Sequence, residues 1–280
     1  MPEIRIGTSG FSFSDWRKGV IYPKGLKQSE ELKYYAQELK FDTLEVNATY
    51  YAVMAQKNAA AMEAKTDSGF EFVVKGYRGF THDPFDTRRK EGKLPLADAY
   101  ETLKRFRESV EPFHSAGKLG AVLLQFPVFF YPSADSWRHI DYCISGLEGI
   151  EAVIEFRNSA WITEETFKKL EQMKVSYCAV DEPDLPRLVK FQPRVTGPVG
   201  YLRFHGRNKE WFNAPLEVRY DYLYTKEELQ PFVSEINNMA KQCDKMYVFF
   251  NNCHAGSAVK NAMDLKGLNS SYIGGKVHEK

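Results

Sequence analysis

The residues best suited to chemistry sit where short apolar runs end. Glu45 and Asn47 close one run, Lys75 closes Phe72-Val73-Val74, and Gln125 follows Val122-Leu123-Leu124. Glu155 and Arg157, Asp181, Arg203 and His205, then Asn251 and Asn252 close the later runs. Burying a charge costs several kcal/mol unless it is paired, so charges repeated at strand ends read as a site. Lys75, Arg157 and Arg203 suit an anionic group, the arginines bidentately and the lysine as a point charge. Pairing of these cations with Glu45, Glu155 and Asp181 is an equally weighted reading, and the two can coexist. Glu155 and His205 are the first choices for proton transfer, with Glu45 and Asp181 behind them. Asn47, Gln125, Asn251 and Asn252 are read as substrate-binding groups beside the cations, the first three also orienting the site. Lys75 as a Schiff-base amine is a minor option, because a lysine beside carboxylates stays protonated.

Other chemistries find less support. Glu45, Glu155, Asp181, His205 and His254 are metal-ligand types, but no H-x-H or H-E-x-x-H spacing occurs. Three cations at the same place would repel a divalent ion, so metal is not favoured and no residue is assigned as a ligand. Gly7-Thr8-Ser9-Gly10 is too short for a phosphate loop, and no nucleotide cofactor motif is present.

These residues need elements to hold them. Strand-like runs occur at Ile4–Thr8, Thr43–Asn47, Phe70–Lys75, Leu119–Phe126, Ala152–Arg157, Ser176–Asp181, Gly200–His205 and Met246–Asn251. Amphipathic stretches separate most of them. One spans 29–39 with Ser29 as N-cap, one 96–113 and one 134–144; another follows Thr163. A capping box of Thr225 and Glu228 opens the helix through Ile236 and Met239. Eight strand–helix repeats imply a single (β/α)8 TIM barrel with a closed parallel sheet, and an open doubly wound sheet is the runner-up. The barrel domain is expected over 1–265, with 266–280 as a frayed tail. In a barrel all these strand ends meet at one mouth, and residues two apart share a face. Glu45 with Asn47, Glu155 with Arg157, and Arg203 with His205 are therefore expected to project together.

Composition bounds the partners. Of 280 residues, 38 are Lys or Arg and 37 Asp or Glu, so the net charge of +1 argues against a protein that coats DNA or an anionic membrane. With 43% hydrophobic and 27% charged residues the chain is globular. No run approaches the ~20 apolar residues of a membrane span. The N-terminus enters a strand-like run at once, and the four cysteines form no C-x-x-C pair. A reduced, cytoplasmic protein without a secretory signal is the expectation.

The chain resembles the YecE-like family, a domain-of-unknown-function group of TIM barrels. The resemblance rests on Gly7-Thr8-Ser9-Gly10-Phe11 with Trp16 and Tyr22-Pro23, then Phe41 through Tyr51. It continues through Phe72–Lys75 with Thr81-His82, Gln125-Phe126-Pro127, Glu155-Phe156-Arg157 with Trp161, Tyr201–Gly206 and Phe249–Asn252. Gly76-Tyr77 departs from the family's usual Ala or Pro after the strand-three lysine. The resemblance implies the barrel and assigns no reaction.

Two expectations follow. The first is an enzyme of hydrolase, lyase or isomerase type acting on a small polar, anionic substrate at the C-terminal mouth. The second is a nucleic-acid-binding protein, or a metal-dependent phosphodiester hydrolase like the endonuclease IV barrels. It rests on two loops rich in aromatics and cations: 77–95 with Arg88-Arg89-Lys90, and 206–224 with Arg207, Lys209, Trp211, Phe212, Tyr220, Tyr222 and Tyr224. No protein partner is indicated.

Overall fold

A computed structural model describes residues 3–210 and 219–278. Eight parallel strands carry the architecture: β1 (Glu3–Thr8), β2 (Thr43–Val46), β3 (Glu71–Lys75), β4 (Leu119–Phe126), β5 (Ala152–Phe156), β6 (Ser176–Asp181), β7 (Val199–Phe204) and β8 (Lys245–Phe250). Their order is β1-β8-β7-β6-β5-β4-β3-β2. A single parallel bridge from Ser9 to Glu45 joins the two ends, so the sheet closes into the expected TIM barrel. Gly7 permits this closure. A Cβ there would stand 2.5 Å from the Thr43 carbonyl oxygen.

Strand periodicity sorts the side chains into two cores. Val73, Leu123, Val153, Cys178, Val180, Tyr201, Tyr247 and Phe249 fill the barrel interior. Leu44, Phe72, Val74, Leu124, Ile154, Leu202, Val248 and Phe250 face outward into the helix layer. Below the interior core, at the N-terminal end, Arg5 reaches Glu71 at 3.3 Å, and Lys245 and Tyr247 also bind that carboxylate. A barrel's N-terminal end serves stability, which suits a closed ionic plug.

The helices follow their caps. Ser133 accepts from the Ser136 amide and opens Ala134–Ser145. Thr163 opens Glu164–Met173, and the Thr225–Glu228 capping box opens Lys226–Ala240. Two expectations change. Ser29 does not cap: it lies in a 3-10 turn, Gln28–Glu30, and the α-helix begins at Glu31. The helix expected over 96–113 ends at Ser109, and a second one runs Glu111–Ser115. Pro112 explains the break, because it has no N–H to continue the ladder. The last helix, Ser257–His278, crosses the boundary expected after residue 265.

Trp16 and Trp161 are fully buried. Trp16 donates to the Cys253 carbonyl at 2.8 Å, and Trp161 stacks on Phe156 at 4.4 Å. All four cysteines are free thiols. No helix of the described residues is long and apolar enough to cross a membrane.

Candidate active site

Side-chain parity decides what reaches the mouth. Glu45 and Asn47, Glu155 and Arg157, and Arg203 and His205 continue the inward-facing register of their strands, as expected. Their side chains converge on one ionic network. Arg203 Nη2 donates to Glu45 Oε1 at 2.6 Å, and its Nη1 donates to Glu155 Oε2 at 2.7 Å. Tyr201 donates its hydroxyl to Glu45 Oε2 at 2.6 Å. Arg157 Nη1 donates to Glu155 Oε1 at 3.0 Å and lies 2.9 Å from His205 Nε2. His205 Nδ1 faces the Asn251 amide at 3.0 Å, and Asn251 bonds Asn47 at 3.2 Å. Glu45, Glu155, Arg203 and His205 are wholly buried, whereas Asn47, Lys75, Gln125 and Asn251 keep part of their surface open.

Parity also corrects two assignments. Asp181 shares a face with Tyr177 and Ala179, so it points outward into the helix layer. There it takes Arg207 at 2.8 and 2.9 Å and the Tyr224 hydroxyl at 2.6 Å. Asn252 likewise turns away, donating to the Tyr222 carbonyl at 2.7 Å and to Asn261 at 2.9 Å. These two residues anchor the loop that returns before Lys226–Ala240. His254 stays outside the network, 3.0 Å from Asp221. Trp211 and Phe212 lie outside the described residues.

The position expected of Asp181 is filled by Glu182. It follows Cys178 and Val180 in the inward register, and its carboxylate meets Arg157 Nη2 at 2.8 Å and the Val189 amide at 2.8 Å. The alternation from Cys178 through Val180 reaches Glu182, one residue past the end of the strand. Tyr201 was also missed, because a tyrosine deep in a strand reads as core.

The network holds three glutamates, Glu45, Glu155 and Glu182, against Arg157, Arg203 and Lys75. Burial opposes the ionised form of Glu155, but Arg203, His205 and Arg157 outweigh it and hold this carboxyl well below its usual range. Burial, then Arg157, pushes His205 down to about 3, so its imidazole is neutral at ordinary pH. Glu182 is raised by burial, against the pull of Arg157.

Lys75 differs from the other cations. Among the described residues no carboxylate oxygen lies within 4.0 Å of its Nζ. Its neighbour is the Tyr50 ring, 4.5 Å from Nζ to centroid. Tyr50 in turn packs edge-on against His82 at 4.9 Å, and His82 is buried and held neutral, pushed down to about 3 by burial and by Lys75. Burial and the nearby Arg203 push the Lys75 ammonium down to about 7, against the pull of Glu155 and Glu45. The charged form is therefore disfavoured at this position, and part of the side chain is open at the mouth.

The basic loops are largely self-paired. Arg88 binds Asp86 at 2.8 Å, Arg89 binds Asp83 at 2.9 Å, and Arg207 binds Asp181. Among the described residues no three His, Cys, Asp or Glu side chains gather as a metal site. The glutamates of the network spend their oxygens on guanidinium, hydroxyl and amide donors.

A closed (β/α)8 barrel with a buried ion network under its C-terminal mouth defines the class of protein. The particular family follows from comparison with known proteins. The chain belongs to the family described as "Protein of unknown function DUF72", whose model matches residues 5–273. It is 31% identical over 279 residues to the UPF0759 protein YunF of Bacillus subtilis (strain 168), covering 95% of this chain and 94% of YunF. It is similar to a DUF72 family protein from Thermotoga maritima MSB8, with 39% identity and a TM-score of 0.85 over 95% of this chain and 98% of that one. A DUF72 family protein from Enterococcus faecalis V583 aligns with 26% identity and a TM-score of 0.81, over 95% of each chain.

Proposed function

We propose that the protein is an enzyme of lyase or isomerase type that acts on a small polar, anionic carbonyl compound, with Lys75 as the reacting amine. One observation carries this reading: Lys75 alone among the network's cations has no carboxylate within 4.0 Å, and it stands partly open at the barrel mouth beside Tyr50. A neutral amine is the nucleophile that carbonyl chemistry needs. Its lone pair would bond the carbonyl carbon. Two protons from the amine would leave with the carbonyl oxygen as water, and the product would be an imine. Protonated, that imine draws electrons from the adjacent carbon and eases loss of a proton or a carbon fragment there.

The remaining residues take supporting parts. Arg203 and Arg157 hold the glutamates and depress Lys75, so they act on the amine rather than on substrate. Glu155 has both oxygens engaged and is held ionised, which makes it a positioning residue. Asn47, Gln125 and Asn251 offer amides at the partly open floor. His205, neutral and wholly buried, orients Asn251 from its Nδ1 side. Nucleic-acid binding and metal-dependent phosphodiester hydrolysis rank below this reading, since Arg88, Arg89 and Arg207 are each turned to an aspartate. The same reading takes the YecE-like resemblance and DUF72 membership to be one relationship.

Reductive trapping tests it. The protein is incubated with glyoxylate, pyruvate, glyceraldehyde, dihydroxyacetone phosphate and ribose 5-phosphate in turn, reduced with borohydride, and digested for mass spectrometry. A mass gain on the Lys75 peptide with at least one carbonyl, absent in Lys75→Met, is expected. Trapping that leaves Lys75 unmodified with every compound would overturn the assignment.

A further inference from the structure

A second feature of the mouth lies beside the ion network. A cleft of about 400 Å³ opens between the loops that follow β3, β4, β5 and β6. Its walls include Arg88, Phe129, Tyr131, Asn158, Ser159 and Arg187. An adjoining cleft of about 500 Å³ shares Ser159 and Arg187 with it. Both volumes fall in the range of small-molecule sites.

Arg187 is the unusual member. It is exposed, and among the described residues it has no hydrogen-bond or ion-pair partner. Its φ of 75° lies in the left-handed region that favours glycine. Non-glycine residues held there carry a cost of about 1 kcal/mol or more, and such strain gathers at binding sites. The backbone therefore suits a glycine, and the chain carries an arginine instead, which lines both clefts.

The opposite wall is aromatic. Phe129 carries the Arg88 guanidinium over its ring at 4.8 Å, and Arg88 is neutralised by Asp86. Tyr131 is 63% exposed, a large apolar surface with a polar tip. Ser159, which is exposed, adds a hydroxyl to the cleft wall, while the Asn158 amide is engaged by the Val128 carbonyl and the Ala160 N–H. Among the described lining residues of this cleft, the charge left over is the positive charge of Arg187. An aromatic wall, polar groups and one free guanidinium match a ring-bearing, hydroxylated molecule with one anionic group.

The cleft is joined to the network through its loops. Asn158 directly follows Arg157 and fixes the β4 loop by donating to the Val128 carbonyl at 2.7 Å. The loop bearing Arg187 is tied to Glu182 by the Val189 amide, and Glu182 grips Arg157.

The geometry points to this cleft as a subsite for a sugar phosphate, with the phosphate on Arg187 and the sugar against Phe129 and Tyr131. Placing that molecule's carbonyl at Lys75 rests on the function proposed above; the subsite itself does not.

Calorimetric titration with ribose 5-phosphate tests it, with ribose and inorganic phosphate as separate probes. Saturable binding of ribose 5-phosphate is expected, at least tenfold tighter than either fragment. Arg187→Gly should weaken it at least tenfold while melting at the parent temperature or above, because glycine suits the left-handed turn. Phe129→Leu, which keeps an apolar side chain without the ring, should weaken it at least threefold. Equal affinity in Arg187→Gly, or no saturable binding by the parent, would overturn the subsite. Binding that depends on Arg187 while Lys75 resists trapping would keep the subsite and remove the carbonyl reaction.

Discussion

Replacing Arg203 by Met is expected to cost about 3–5 kcal/mol of stability, because it removes the guanidinium that two buried carboxylates share. Arg203 is wholly buried and is bonded to Glu45 at 2.6 Å and to Glu155 at 2.7 Å. Methionine fills much of the volume, so the loss comes from uncompensated charge rather than a cavity. For a chain of this size the melting temperature should fall by roughly 10 °C. The pH dependence identifies the cause. In the parent, Glu155 titrates well below its unfolded value, so its contribution is present above the unfolded pKa and is lost as pH falls. In the variant Glu155 loses the largest of the charges that hold it down, so burial raises it and it becomes neutral more readily. The gap between parent and variant should therefore narrow as pH falls from 7 to 5. Adding Glu155→Gln to Arg203→Met should recover part of the loss. Urea unfolding at several pH values makes the measurement, and a loss below about 1 kcal/mol at pH 7 would mean that the network is not holding the mouth.

Lys75→Met should act in the opposite sense on stability and remove the proposed chemistry. The folded state pushes this ammonium from 10.5 down to about 7, so folding at neutral pH gives up part of a bound proton. The destabilisation is full below about pH 7 and fades as pH rises toward 10.5, where the unfolded chain also loses the proton. The variant should therefore be more stable than the parent at pH 6.5, by on the order of 2 kcal/mol after solvent screening. That gain should shrink at pH 8 and be nearly gone by pH 10. Carbonyl trapping should be lost at every pH. A residue that raises stability when removed and carries all trapping would be one the fold keeps for chemistry. Lys75→Met that unfolds the protein would show the lysine to be structural.

Much of this architecture was legible beforehand, for physical reasons that can be named. Each strand is short and apolar, and each run ends in a polar residue, so the eight repeats and their common mouth follow from pattern alone. The i, i+2 pairs also held: Glu155 with Arg157 and Arg203 with His205 point the same way because strand side chains alternate. The failures come from the same rule applied one residue short. Asp181 and Asn252 occupy strand ends with outward parity, while Glu182 occupies the inward position one step later. The partners of the network were not legible, since Tyr201 and Glu45 lie 156 residues apart and no local pattern records a contact across the barrel. The balance around Lys75 was misjudged for a related reason. Beside carboxylates a lysine stays protonated, but here the arginines engage those carboxylates and leave the amine facing Tyr50. Arg187 was invisible because a left-handed turn without glycine leaves no mark in the sequence.

The proposed chemistry requires Lys75 to be an amine with a depressed pKa at the mouth of the barrel. Competitive labelling measures that pKa in the folded protein. The folded protein is treated with trace radiolabelled acetic anhydride from pH 5.5 to 11, and acetylation of each lysine is read by peptide mapping. The Lys75 peptide should titrate with a midpoint near 7, while exposed lysines titrate near their ordinary value of about 10.4. A Lys75 midpoint at or above 10, or no labelling of Lys75 at any pH, would contradict the account.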